Sequence, residues 1–87
     1  MPRISQFFGI TIAMFYNDHF PPHFHARYSG RRARIQIDPL GVLTGGDLPP
    51  RVLGLVIDWA SQHQVELLRD WELSRQGVPL EPIAPLE

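Results

Sequence analysis

The chain has 87 residues, the length of one ordinary domain, so we expect residues 1–87 to fold as a single unit. It contains no cysteine, which excludes disulfide bonds and thiolate-ligated metal sites. No basic segment precedes an apolar run at the start, and no stretch approaches the ~20 apolar residues of a membrane span, so we expect a cytoplasmic protein.

The charges are unevenly distributed along the sequence. Residues 1–45 carry five arginines against two acids, whereas residues 46–87 carry three arginines against seven acids. These counts give net charges of +3 and −4, which sum to the overall −1. All basic residues are arginine; codon bias is the simplest reason, and recognition of phosphate or carboxylate by planar guanidinium groups is the alternative.

Residues 1–45 have the pattern of a β-rich half. Apolar and β-forming residues alternate with a period of two over residues 3–16, and Gly9 is expected to separate two strands there. Ser29-Gly30 fits a two-residue hairpin turn between strands at 24–28 and 31–38. Residues 42–44 predict a short further strand.

The predicted hairpin sorts its residues into two faces. The register places His25 opposite Arg34, Arg27 opposite Arg32, and His23 opposite Gln36, because Ser29-Gly30 fixes the pairing. These six residues share one face. The alternate residues of both strands are apolar and form the other face, which is suited to a core.

Residues 48–76 have the pattern of a helical half. Apolar residues recur at helical spacing, and Ser61 and Gln64 match a capping box, which favours a break near residues 61–64. Gly77 is a plausible helix terminator. The predicted fold is therefore α+β: a small antiparallel sheet of three to five strands followed by two helices.

Residues 78–87 form a proline-rich tail. Prolines and aliphatic residues each repeat every third position, so Leu80, Ile83 and Leu86 are expected to line one ridge of an extended segment. This ridge is predicted to dock in an apolar groove of the same domain or, alternatively, of a partner.

Histidines are concentrated between residues 17 and 25. His23 and His25 stand two apart on a predicted strand, so their side chains point the same way and can converge on one metal ion. His19 or Asp18 could supply a third ligand. Three nitrogens suit zinc, nickel or copper, and two histidines with a carboxylate also admit iron. Exposed histidines without a metal are the alternative.

Arginines are concentrated on the same hairpin, at positions 27, 31, 32 and 34. Because Arg27 opposite Arg32 is a like-charge pair that costs stability, Arg27, Arg31, Arg32 and Arg34 indicate an anionic ligand or partner surface. Single-stranded RNA is one such ligand, although a sequence pI of about 6.4 is low for a nucleic-acid-binding domain. A solvated face, or metal-free acid–base catalysis by the two strand histidines, are the other interpretations.

Four segments of the sequence resemble domain-of-unknown-function family 4160. They are Asn17-Asp18-His19-x-Pro21-Pro22-His23-Phe24-His25, Leu48-Pro49-Pro50-Arg51, Trp71-Glu72-Leu73 and Gln76-Gly77. The resemblance implies a small bacterial protein without an established activity. Members are often encoded beside another small protein, which implies a nearby-encoded partner and a toxin–antitoxin-like or regulatory pair.

The leading hypothesis is accordingly a non-enzymatic interaction module that binds a small protein through the histidine- and arginine-rich hairpin face, with a homodimer also open. The alternatives are a metal-dependent hydrolase or nuclease, with zinc, nickel or iron as the ion, and an RNA-binding module.

Overall fold

The computed structural model describes residues 3–44 and 47–87. Five strands precede two helices, which confirms the α+β prediction. The elements are β1 (Arg3–Phe7), β2 (Ile10–Ala13), β3 (His23–Tyr28), β4 (Arg31–Gln36), β5 (Gly41–Thr44), α1 (Pro50–Gln62) and α2 (Gln64–Arg75). Within the described ranges, neither helix has the length and apolar character needed to cross a membrane.

The strands form one antiparallel sheet in the order β1-β2-β3-β4-β5. The register between β3 and β4 is the predicted one, with His25 opposite Arg34 and Arg27 opposite Arg32. Ser29 and Gly30 both have positive φ, 51° and 80°, as a two-residue turn that matches the strand twist requires. The hairpin prediction is confirmed.

Strand β2 is shorter than the sequence pattern indicates. It ends at Ala13, the last residue paired with β3, whereas the alternation continues to Tyr16. Residues 14 and 15 leave the ladder although Phe24 and His23, which would lie opposite them in the same register, carry N–H groups; Pro22, which would lie opposite Tyr16, has none. Residues 14–22 therefore form a loop.

The helices cover the apolar face of the sheet. Trp59 of α1 is fully buried, and its ring lies 5.3 Å from that of Phe7 and 5.8 Å from that of Phe24. Trp71 of α2 is also buried. The opposite face, which carries Arg27, Arg32 and Arg34, is left uncovered by the helices because only its apolar counterpart has area to bury.

The break between the helices falls at His63, inside the predicted interval. The predicted capping box is wrong, because the Ser61 hydroxyl donates to the Asp58 carbonyl (2.7 Å) within the last turn of α1 and no side chain caps α2. Helix α2 ends at Arg75, and Gly77, the predicted terminator, follows the C-cap residue Gln76 with a φ of 71°. Val78 N–H donates to the Leu73 carbonyl (3.2 Å), completing a Schellman-type terminus.

The tail lies against the core of the same chain. Ile83 is buried, and Leu80 and Leu86 are partly buried against the core cluster. Hydrogen bonds of 2.8 Å attach the tail at three points: Ile83 N–H donates to the Ile4 carbonyl, Trp59 Nε1–H to the Ala84 carbonyl, and Glu81 N–H to Asp70 Oδ1. Burial raises the pKa of the Asp70 carboxyl, and the Glu81 N–H opposes this shift.

The pairing of Arg27 with Arg32 leads to a stability prediction. We expect Arg32→Gln to raise the free energy of unfolding by about 0.2–1 kcal/mol at low ionic strength, because it removes repulsion between directly opposite charges. Thermal melts in low and high salt measure the effect, with Arg51→Gln on α1 as the control. The gain should shrink in high salt; an equal gain at both ionic strengths would show that charge is not its cause.

Candidate metal site and the basic face of the sheet

The loop of residues 14–22 folds back over the start of β3 and brings Asp18 to the two strand histidines. Asp18 Oδ2 lies 2.9 Å from His25 Nε2 and 3.4 Å from His23 Nε2. One ligand atom from each of the three residues lies within 4.8 Å of the other two. The structure thus brings together a carboxylate and two imidazoles that sequence spacing alone places only loosely.

A hydrogen bond determines the tautomer of neutral His23, and so whether the nitrogen that faces Asp18 carries a proton or a lone pair. Nδ1 lies 2.8 Å from the Pro21 carbonyl, which can only accept, so the proton of neutral His23 is on Nδ1. Nε2 then carries a lone pair, is buried, and has no hydrogen-bond partner. A lone pair aimed at a carboxylate oxygen is unfavourable unless a proton or a cation lies between them.

Aromatic rings enclose the cluster. The His23 ring lies 5.4 Å from Trp71 of α2, and the His25 ring meets the edge of Phe15 at 4.5 Å. The side chain of His23 is 2% exposed, whereas those of His25 and Asp18 are 17% and 23% exposed. Solvent therefore reaches the cluster from the side of His25 and Asp18.

The charge state of His25 favours a role as a ligand. Burial lowers the pKa of its imidazole, and the positive charge of Arg34 on the neighbouring strand acts in the same direction, while the Asp18 hydrogen bond opposes the shift. A lowered pKa leaves His25 neutral at physiological pH. Neutral imidazole is the form that coordinates a metal ion.

The distances from Asp18 Oδ2 to the two histidine nitrogens are compatible with a tetrahedral ion. Ligands at about 2.0–2.1 Å from zinc stand about 3.3 Å from one another, close to both Asp18–histidine separations. The Nδ1–H of His23, held by a backbone carbonyl, is the usual orienting contact of a metal-bound histidine. The arrangement can hold zinc, nickel or iron with at least one position open to water.

The sequence predicts some residues of the site and not others. His19 is exposed and lies outside the cluster, so Asp18 is the third member that the structure brings together. The Pro21 carbonyl, Trp71 and Phe15 also belong to the site, and the sequence analysis does not predict them. No local pattern reveals them, since two of these contacts depend on the loop path and one on a distant helix.

The hairpin arginines divide between two locations. Arg27, Arg32 and Arg34 share the face that the helices leave open, and Arg34 Nε donates to Thr44 Oγ1 (3.0 Å). Arg31 stands at the turn end, opposite Tyr28, and donates to the Asp47 carbonyl (3.3 Å). Three of the four predicted arginines therefore lie beside His25 on one surface.

Comparison with known proteins gives a family. No curated protein and no solved structure matches the chain. Residues 9–72, which include all of the candidate metal cluster, the hairpin arginines and most of both helices, match the family described as Domain of unknown function (DUF4160). The match spans well over half of the sequence, and the chain belongs to this family.

Proposed function

We propose that this protein binds a divalent transition-metal ion through Asp18, His23 and His25. The observation that carries the proposal is the buried, unpartnered Nε2 of His23, which is held toward the Asp18 carboxylate by the bond from Nδ1–H to the Pro21 carbonyl. A metal ion would replace an unfavourable contact with two coordinate bonds. No rearrangement of His23 is needed.

The ligand set suggests what the ion would do. Three protein ligands would leave a position open for water, and zinc held there would lower the pKa of that water to near neutrality, which would supply hydroxide. Solvent access through His25 and Asp18 allows a substrate to reach that position. This supports a hydrolytic centre over a closed structural site.

A metal titration tests the proposal. Chelator-treated protein is titrated with zinc and with nickel by calorimetry, and the imidazole resonances are followed by NMR. We expect one ion per chain and shifts confined to His23 and His25. His25→Ala should abolish the saturable heat, because it removes a ligand.

His19→Ala is the matched control, since His19 lies in the same loop and outside the cluster. It should bind with unchanged affinity. If the His23 and His25 rings titrate identically with and without metal, or if His19→Ala loses binding as His25→Ala does, the assigned site is incorrect.

A role in binding another macromolecule is the second candidate. It is supported by the open sheet face, on which Arg27, Arg32 and Arg34 are all exposed. The cytoplasmic location, the small protein partner encoded nearby and the toxin–antitoxin-like pairing stay predictions from the sequence and the resemblance. The chemistry of the open face itself favours a particular class of ligand.

A further inference from the structure

Grooves on the open face of the sheet connect to one another through shared residues. A groove of about 580 Å³ is lined in part by Arg3 and Arg27. A second, of about 160 Å³, contains Arg27, His25 and Arg32. A third, of about 340 Å³, contains His25, Arg32 and Arg34. Together they form a path from β1 to β4 with arginine in every part.

The path has a strong excess of positive charge. Arg32 and Arg34 are exposed, and among the described residues no carboxylate lies within 4 Å of either guanidinium. Asp47 borders the third groove, and Asp18 contacts His25 beside the second. Most of the acids belong to residues 47–87, whose helices cover the other face of the sheet. The open face is therefore basic although the overall charge of the chain is −1.

The shape of the path favours an extended ligand over a compact one. Neighbouring strands stand about 4.8 Å apart, so a path that crosses from β1 to β4 extends over about 14 Å. A single phosphate or carboxylate would occupy one groove and contact only part of the path. A ligand that contacts the whole path carries negative charges repeated along its length.

The chemistry of arginine and a neighbouring aromatic ring further narrow the class of ligand that this face would bind. Guanidinium groups bind phosphate oxygens in a bidentate manner. Phe15, partly exposed, lines the second groove beside His25 and offers a ring on which a base can stack. Proteins read duplex DNA with a helix or a β-ribbon that enters a groove, whereas this surface is the broad face of a sheet. A single strand therefore fits the surface better than a duplex.

We propose that this face binds single-stranded nucleic acid, with the phosphodiester backbone crossing the strands from Arg3 through Arg27 and Arg32 to Arg34. The strand would pass beside His25 and therefore beside the candidate metal site. Binding itself requires no metal. The inference thus goes beyond the proposed metal function and can be tested separately from it.

Fluorescence anisotropy with a labelled single-stranded oligonucleotide of about 12 nucleotides, in excess chelator, tests the proposal. We expect saturable binding at about 50 mM salt that weakens with a log–log slope near −3, since four phosphates neutralised on a single strand contribute about −0.7 each. The double variant Arg32→Ser, Arg34→Ser should bind at least about tenfold more weakly, and its slope should fall to about half.

The matched control is Arg51→Ser, Arg69→Ser, which removes the same charge from the helices on the other face. It should bind as the unaltered protein does. Circular dichroism melts establish that both double variants are folded.

Three results would overturn the inference: no saturable binding at low salt, an equal loss of affinity in the helix control, or equally tight binding of a duplex of the same length. A fourth is displacement of the oligonucleotide by polyglutamate at equal charge concentration, which would indicate an acidic protein as the ligand. Because chelator is present throughout, each of these outcomes leaves the metal proposal standing.

Discussion

Asp18→Asn is expected to weaken zinc binding by at least about 100-fold. Loss of a residue that only orients a metal ligand already lowers metal affinity 10- to 100-fold, and Asp18 is proposed as a ligand itself. The same substitution should leave the metal-free protein as stable or more stable. An amide Nδ2 at the position of Oδ2 can donate one hydrogen to His23 Nε2 and the other to His25 Nε2, in its alternative tautomer, so the orphaned nitrogen gains a partner.

The expected gain in the metal-free state is about 0–1 kcal/mol, or up to roughly 4–8 °C in melting temperature for a domain of this size. Calorimetric zinc titration and thermal melts in chelator measure the two effects. Asp18→Ala serves as the comparison, because it removes the ligand without offering a donor and should lose both affinity and stability. An Asp18→Asn protein that binds zinc normally would remove Asp18 from the ligand set.

Trp59→Ala is expected to reduce the free energy of unfolding by about 3–5 kcal/mol, the cost of emptying a fully buried aromatic site. A domain of 87 residues has a total stability of roughly 4–13 kcal/mol, so the variant should be close to unfolding. The loss has two sources. The ring fills the space between α1 and the sheet, and its Nε1–H holds the Ala84 carbonyl of the tail.

Urea unfolding followed by circular dichroism measures the change, and Trp59→Phe separates the two sources. Phenylalanine keeps most of the packing and removes the hydrogen bond, so it should cost about 1–2 kcal/mol. A loss below about 1 kcal/mol for Trp59→Ala would mean that the helices do not depend on this contact with the sheet.

The parts of the fold that follow from local rules were predictable. The Ser29-Gly30 turn determines the register of β3 and β4, because a slip of one residue would move Phe24 and Ile35 to the solvent side. Gly77 likewise ends α2 through its own backbone conformation. The early end of β2 and the missing cap of α2 were not predictable in this way, because the alternation continues past Ala13 and the spacing of Ser61 and Gln64 matches a capping box.

The candidate site follows the same division. Alternation along a strand places His23 and His25 on one side, and their closeness to Asp18 in sequence makes a third ligand plausible. The choice of Asp18 over His19 depends on the path of a loop. The burial of His23 depends on Trp71, which stands far away in sequence, so no spacing rule could show that this nitrogen would be left without a partner.

The attachment of the tail beside β1 also bears on self-association. An outer strand with unpaired backbone groups is a template on which strands of other molecules can assemble. The tail lies beside β1, where Ile83 N–H donates a hydrogen bond to the Ile4 carbonyl. The prolines at 82 and 85 have no N–H groups, so a further strand cannot form a regular ladder with the tail. The tail therefore protects this edge of the sheet from pairing with strands of other molecules, in addition to contributing to the core.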